Sequence, residues 1–112
     1  MGRTLRFIVS GQMIKPDPSC DFSGLIPGTE GYLRAAFTFD KSWEGCKKAA
    51  SFFRFGGGEY AKAIENGECE IPKEVLEKEV FVVSVKGVRE KYKIKTVRCI
   101  VRQNGGVTFG NC

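Results

Sequence analysis

The sequence predicts an all-β fold, a small antiparallel β-sandwich of immunoglobulin-like shape with one short helical turn near Pro72–Leu76. Three observations predict it. Short segments alternate apolar and polar residues with period two, the spacing of a half-buried strand. Gly, Asn and Pro turn signals interrupt the chain at short intervals. Thirteen aromatic residues, nine of them Phe, supply the bulk that a core between two sheets needs. The 112 residues, 42% hydrophobic and 28% charged, fit a single folded domain over 1–112.

The elements follow in order. Thr4–Val9 alternates, with Leu5, Phe7 and Val9 on one face. A Pro/Gly-rich loop is expected at about 11–31, since Pro16 and Pro18 exclude a helix or an internal strand. Tyr32–Phe39 is the clearest strand, placing Leu33, Ala35, Phe37 and Phe39 on one face. Lys47–Phe55 carries apolar residues on both parities, which points to burial on both sides or a bulge. Gly56-Gly57-Gly58 reads as a hairpin turn; it lacks the spacing of a phosphate-binding loop. Glu59–Ile64 and Glu68–Ile71 are short strands separated by the turn dipeptide Asn66-Gly67. Pro72 opens one helical turn through Leu76.

The last strands carry a register signal. Val80–Lys86 points Phe81, Val83 and Val85 inward, and Gly87–Glu90 is expected to turn the chain. In Lys91–Arg102 the less charged residues are even at Tyr92, Ile94 and Thr96, then odd at Val97, Cys99 and Val101. A slip of one residue exchanges the two faces, so a β-bulge is expected between Lys95 and Val97. After the turn at Asn104-Gly105-Gly106, Val107–Cys112 is expected as a short tail.

Charge is concentrated. The net charge is +5, yet seven basic residues and one acid lie between Lys86 and Arg102. Lys91, Lys93, Lys95, Arg98 and Arg102 are the candidate contact surface for an acidic partner. Exposed lysines also keep sheet edges from aggregating, and that plainer role ranks first. Tyr92 is the one aromatic interleaved with the stripe, which favours that plainer role, and a nucleic-acid partner ranks behind protein.

The residues that carry chemistry are sparse. The chain has no His, which removes the commonest general base and metal ligand. Its five cysteines lie at least thirteen positions apart, so no CxxC metal or redox pair exists. They are expected as reduced thiols, with Cys99 a small core residue. Asp17, Asp21, Glu30 and Asp40 would form an acid/base or metal site only if the fold gathered them. The expectation is therefore a non-enzyme with no catalytic, cofactor-binding or metal-binding residue. No apolar run approaches the ~20 residues of a membrane helix, so no membrane partner is expected. The N-terminus lacks the apolar core of a signal peptide.

One resemblance sharpens this. Ala36-Phe37-Thr38-Phe39, then Trp43, Gly45, Lys48 and Ala50–Phe52, resembles the opening of a β-sandwich module in tail and baseplate proteins of phages and prophages of Gram-positive bacteria. The same order continues through Asn66-Gly67, Cys69, Ile71–Leu76, Phe81–Val85, Gly87 and Thr96, so the likeness covers roughly Leu33–Gln103. These are packing and turn residues. Trp43 would close one mouth of the sandwich, Val75 and Leu76 would plug an end, and Gly87 would permit a hairpin. The resemblance implies a phage or prophage virion structural protein of the baseplate, tail or capsid surface. It would be made in the host cytoplasm and would contact itself or other phage structural proteins. The alternative is a small phage-encoded inhibitor that binds a host protein, a nucleotide signal or nucleic acid.

Overall fold

The computed structural model describes residues 2–22, 25, 31–54, 56–77 and 80–102. Among the described residues nine strands form two sheets around one apolar core, so the chain is an all-β, sandwich-like fold. The first sheet holds β1 (Arg3–Ser10), β2 (Met13–Pro16), β3 (Leu33–Phe39) and β6 (Glu68–Glu70), in the order β2-β1-β3-β6. The second holds β4 (Lys47–Arg54), β5 (Glu59–Ala63), β7 (Val80–Arg89), β8 (Tyr92–Lys95) and β9 (Cys99–Arg102). Its order is β5-β4-β7, with β8 and β9 both pairing with β7.

One pair departs from the antiparallel expectation: β1 and β3 run parallel, from Arg3 opposite Leu33 to Val9 opposite Phe39. The cause lies in the stretch read as a loop at about 11–31. Its start is an edge strand, β2, that folds back onto β1 through Gly11-Gln12. With that flank of β1 taken, the chain crosses over and pairs β3 on the other. Pro16 ends β2 on the sheet edge, where its missing N–H costs nothing. Further along, the same stretch buries Phe22 and Leu25 in the core.

The turns follow the sequence closely. Asn66 and Gly67 both take positive φ, 55° and 79°, the geometry that a two-residue turn between the bridged Glu65 and Glu68 demands. Gly56-Gly57-Gly58 links β4 to β5. Lys73–Glu77 is a 3-10 turn after Pro72 that buries Val75 and Leu76. Phe55 and the tail 103–112 lie outside the described residues.

Trp43 ends a second 3-10 turn, Lys41–Trp43, and is fully buried. It completes an aromatic run through the core. Phe22 meets Phe7 edge-on at 5.5 Å, Phe7 stacks on Phe37 at 5.4 Å, and Phe39 lies 5.3 Å from Trp43. The indole N–H donates to Gly11 O at 2.8 Å, satisfying the one polar atom of the ring.

Gly87 is not a turn residue. It lies inside β7, which continues to Arg89, and the reversal falls on Glu90-Lys91. Glycine is needed because a Cβ there would lie 2.9 Å from Trp43 Cε3. Close approach to an aromatic ring, rather than a hairpin, explains this residue.

Candidate contact face

The expected bulge is present, and it builds the candidate site. Lys86–Arg89 pair with Lys95–Tyr92 on β8, while Val80–Val83 pair with Arg102–Cys99 on β9. Between these blocks Thr96, Val97 and Arg98 stand opposite only Ser84 and Val85, so one residue is extra. Thr96 replaces the missing ladder bond. Its N–H donates to Val85 O at 2.9 Å, and Val85 N–H donates to Thr96 Oγ1 at 3.0 Å.

The extra residue decides which side chains share a face. Before the bulge the partly buried Ile94 packs on the core; after it Cys99 and Val101 are buried. Outward positions therefore change from odd to even. Lys93 and Lys95, then Arg98 and Arg102, all fall on the outward side of the second sheet. Without the bulge the two pairs would point to opposite faces.

Of the five residues singled out from sequence, four thus come together. Lys91 sits apart, exposed in the β7–β8 turn. Two cations join the face: Lys86, the first residue of the basic stretch, directly opposite Lys95, and Lys47, which the linear reading did not select, opposite the outward Val88. The signal for Lys86 was its alternation with the buried Val85, but its neighbour across the ladder is a tertiary fact. Arg89 points the other way; its guanidinium lies over Tyr92 and donates to Glu44 O.

A hollow of about 280 Å³ opens on this face. Ser51, Ser84 and Thr96 contribute hydroxyls, Lys86, Lys95 and Arg98 contribute charge, and Glu59 stands at the β5 side. The floor is deep: Ser51 is only 3% exposed. Small side chains on β4 and β7 make the depression, since Ser51 pairs with Ser84 across the ladder. Arg98 lies over the ring of Phe53, 4.3 Å from its centroid, which holds the guanidinium in place. The ion pairs Arg34–Glu68 and Arg54–Glu77 lie elsewhere.

The sheet edge beside this face is partly covered. Val97 N–H donates to Gln12 O at 2.9 Å, and Gln12 Nε2 donates to Lys95 O at 3.2 Å. The β1–β2 turn of the first sheet is thereby tied to the bulge of the second.

Among the described residues Asp17 and Asp40 are not gathered. Asp17 accepts from Ser19 N–H and Oγ, bonds that hold its carboxyl below the usual range. Asp40 lies beyond the other end of β2. Partial desolvation raises its pKa, but Gly11 N–H, Ser42 N–H and Ser10 Oγ outweigh this and lower it overall. Glu30 lies outside the described residues. Among the described residues no cluster of three or more metal-ligating side chains forms.

Cys20, Cys46 and Cys69 are free thiols, and burial pushes the Cys69 thiol up to about 11. Cys99 is buried as expected, but it is disulfide-bonded, which corrects the expectation of five reduced thiols. No helix among the described residues is long and apolar enough to cross a membrane.

Comparison with protein-family models, with curated proteins and with solved structures gave no match.

Proposed function

We propose that the protein is a structural β-sandwich module of the kind found in phage tail and baseplate proteins. It works by protein–protein contact and self-assembly, and it performs no catalytic step. In this reading it is made in the host cytoplasm and resides in the virion. The two-sheet fold agrees with what the resemblance implies.

One observation carries the contact role. Met13 and Val97 are large apolar residues, 62% and 49% exposed, at the seam between the sheets. Val97 is bonded to Gln12, the residue before Met13, so the two residues are held near one another by a braced backbone. Exposed apolar side chains on a rigid support are what a protein interface buries at its centre.

Light scattering of the purified protein at low and high salt tests this. A defined oligomer that survives high salt, and that Met13→Glu with Val97→Glu reduces to monomer, is the expected result. A monomer at every concentration, with no association with other tail proteins, would overturn the proposal.

A further inference from the structure

We infer that the outward face of the second sheet binds a single nucleic-acid strand by its phosphates, with the hollow between Lys86, Lys95 and Arg98 as the principal phosphate site. This site is separate from the Met13–Val97 seam and does not depend on the structural role proposed above.

The first argument is charge placement. Lys86 and Lys95 are directly opposite across the β7–β8 ladder. Like charges at such a pair destabilise a sheet. Among the described residues neither they nor Arg98 has a carboxylate partner to offset that cost. An anion seated between them removes the repulsion. Glu59, at the β5 side, disfavours an anion there and confines it to the β7–β8 side.

The second is the chemistry of the floor. Thr96 Oγ1 already accepts from Val85 N–H, so its own proton remains available to donate. Ser51 and Ser84 bring two more hydroxyls into the same hollow. Hydroxyls beneath lysine and arginine suit phosphate oxygens, which accept from both.

The third is the shape of the array. Lys93 and Lys95 on β8, Arg98 in the bulge and Arg102 on β9 follow one another along one face, because the bulge keeps them there. Outward residues recur about every 6.7 Å along a strand, and the exposed Ile100 takes the outward position between Arg98 and Arg102. A row of that kind tracks one extended backbone. Arg98, stacked on Phe53, offers the other side of its guanidinium to a base. An acidic peptide added as a further strand is disfavoured, since Gln12 occupies the edge at Lys95 and Val97.

The test is fluorescence anisotropy with a labelled, mixed-sequence single-stranded oligonucleotide. Neutralisation by the five cations Lys86, Lys93, Lys95, Arg98 and Arg102 predicts a slope of log K against log salt of about −3.5. The variant Lys86→Gln/Lys95→Gln should weaken binding by roughly tens of fold at about 50 mM salt and bring the slope to about −2. Lys15→Gln/Lys41→Gln removes the same charge elsewhere and should leave the slope intact. Unfolding midpoints of both variants establish that each is folded. The inference is overturned if the native protein does not bind at low salt, or if the Lys15/Lys41 control weakens binding equally. It is also overturned if duplex binds more tightly than single strand, or if polyglutamate of matched charge displaces the oligonucleotide as well as an unlabelled copy does.

Discussion

Thr96 and Val85 bond each other twice across the second sheet, once through the Thr96 N–H and once through the Thr96 hydroxyl oxygen. A side chain thus stands in for a backbone carbonyl where the bulge breaks the ladder. Replacing Thr96 by Val keeps the shape and leaves the Val85 N–H without its acceptor. The expected loss is about 1–3 kcal/mol, the cost of a buried donor left unmade. Thr96→Ser keeps the oxygen and should recover most of it. Urea unfolding of the three proteins checks this; equal stability of Thr96→Val and native would show that the hydroxyl does not hold the bulge.

Gly87 and Trp43 make the second testable contact. A methyl at Gly87 would meet Trp43 Cε3 at 2.9 Å, Cζ3 at 3.0 Å and Cys46 Cβ at 3.1 Å. All three atoms belong to buried residues. Gly87→Ala should therefore cost about 1–3 kcal/mol by overpacking. It should also shift the fluorescence of Trp43, the chain's single tryptophan. An unchanged emission maximum with unchanged stability would show that the ring moves aside freely.

Asp40 links stability to pH. Its folded pKa lies below the ordinary 3.8, so its ionised form favours the native state. That contribution is complete above 3.8 and is lost as pH falls through the lower folded value. Asp40→Ala should lower the unfolding temperature at neutral pH, since Gly11 N–H and Ser42 N–H both lose their acceptor. The gap between variant and native should narrow below pH 3.8. A gap that stays constant down to the acid unfolding limit would contradict the role of the charge.

Thiol chemistry should be graded by burial. Cys69 is 4% exposed and its thiol is pushed up to about 11, so almost no thiolate exists at neutral pH. Cys46 is also buried, whereas Cys20 is partly exposed. Brief alkylation of the native protein, followed by peptide mass mapping, should label Cys20 well before Cys69. Denaturant should remove the difference. Equal labelling of both under native conditions would mean that β6 opens readily.

The strands were legible because each buries one face, and burial writes period two into Leu33–Phe39 and Val80–Val85. The Asn66-Gly67 reversal was legible because both positions need positive φ. The bulge was legible as a parity change between Ile94 and Cys99. The strand β2 was not: at four residues, with an exposed Met13 and a terminal proline, it has too little alternation to register. Gly87 was misplaced because a glycine beside a turn and a glycine beneath an aromatic ring look alike in one dimension. In the candidate site, the clustering of cations along the chain was visible, while the Lys86–Lys95 pairing and the Ser51–Ser84 floor were not.

The sequence by itself determined the all-β class, most strand positions and the one-residue slip, since these depend on local alternation and on turn residues with few alternatives. Only the tertiary structure decided that β1 and β3 run parallel and that Gln12 braces the bulge. It also decided that cations of both parities meet around one hollow. Those outcomes depend on which strand takes the free flank of another, a choice among distant partners that no local pattern encodes.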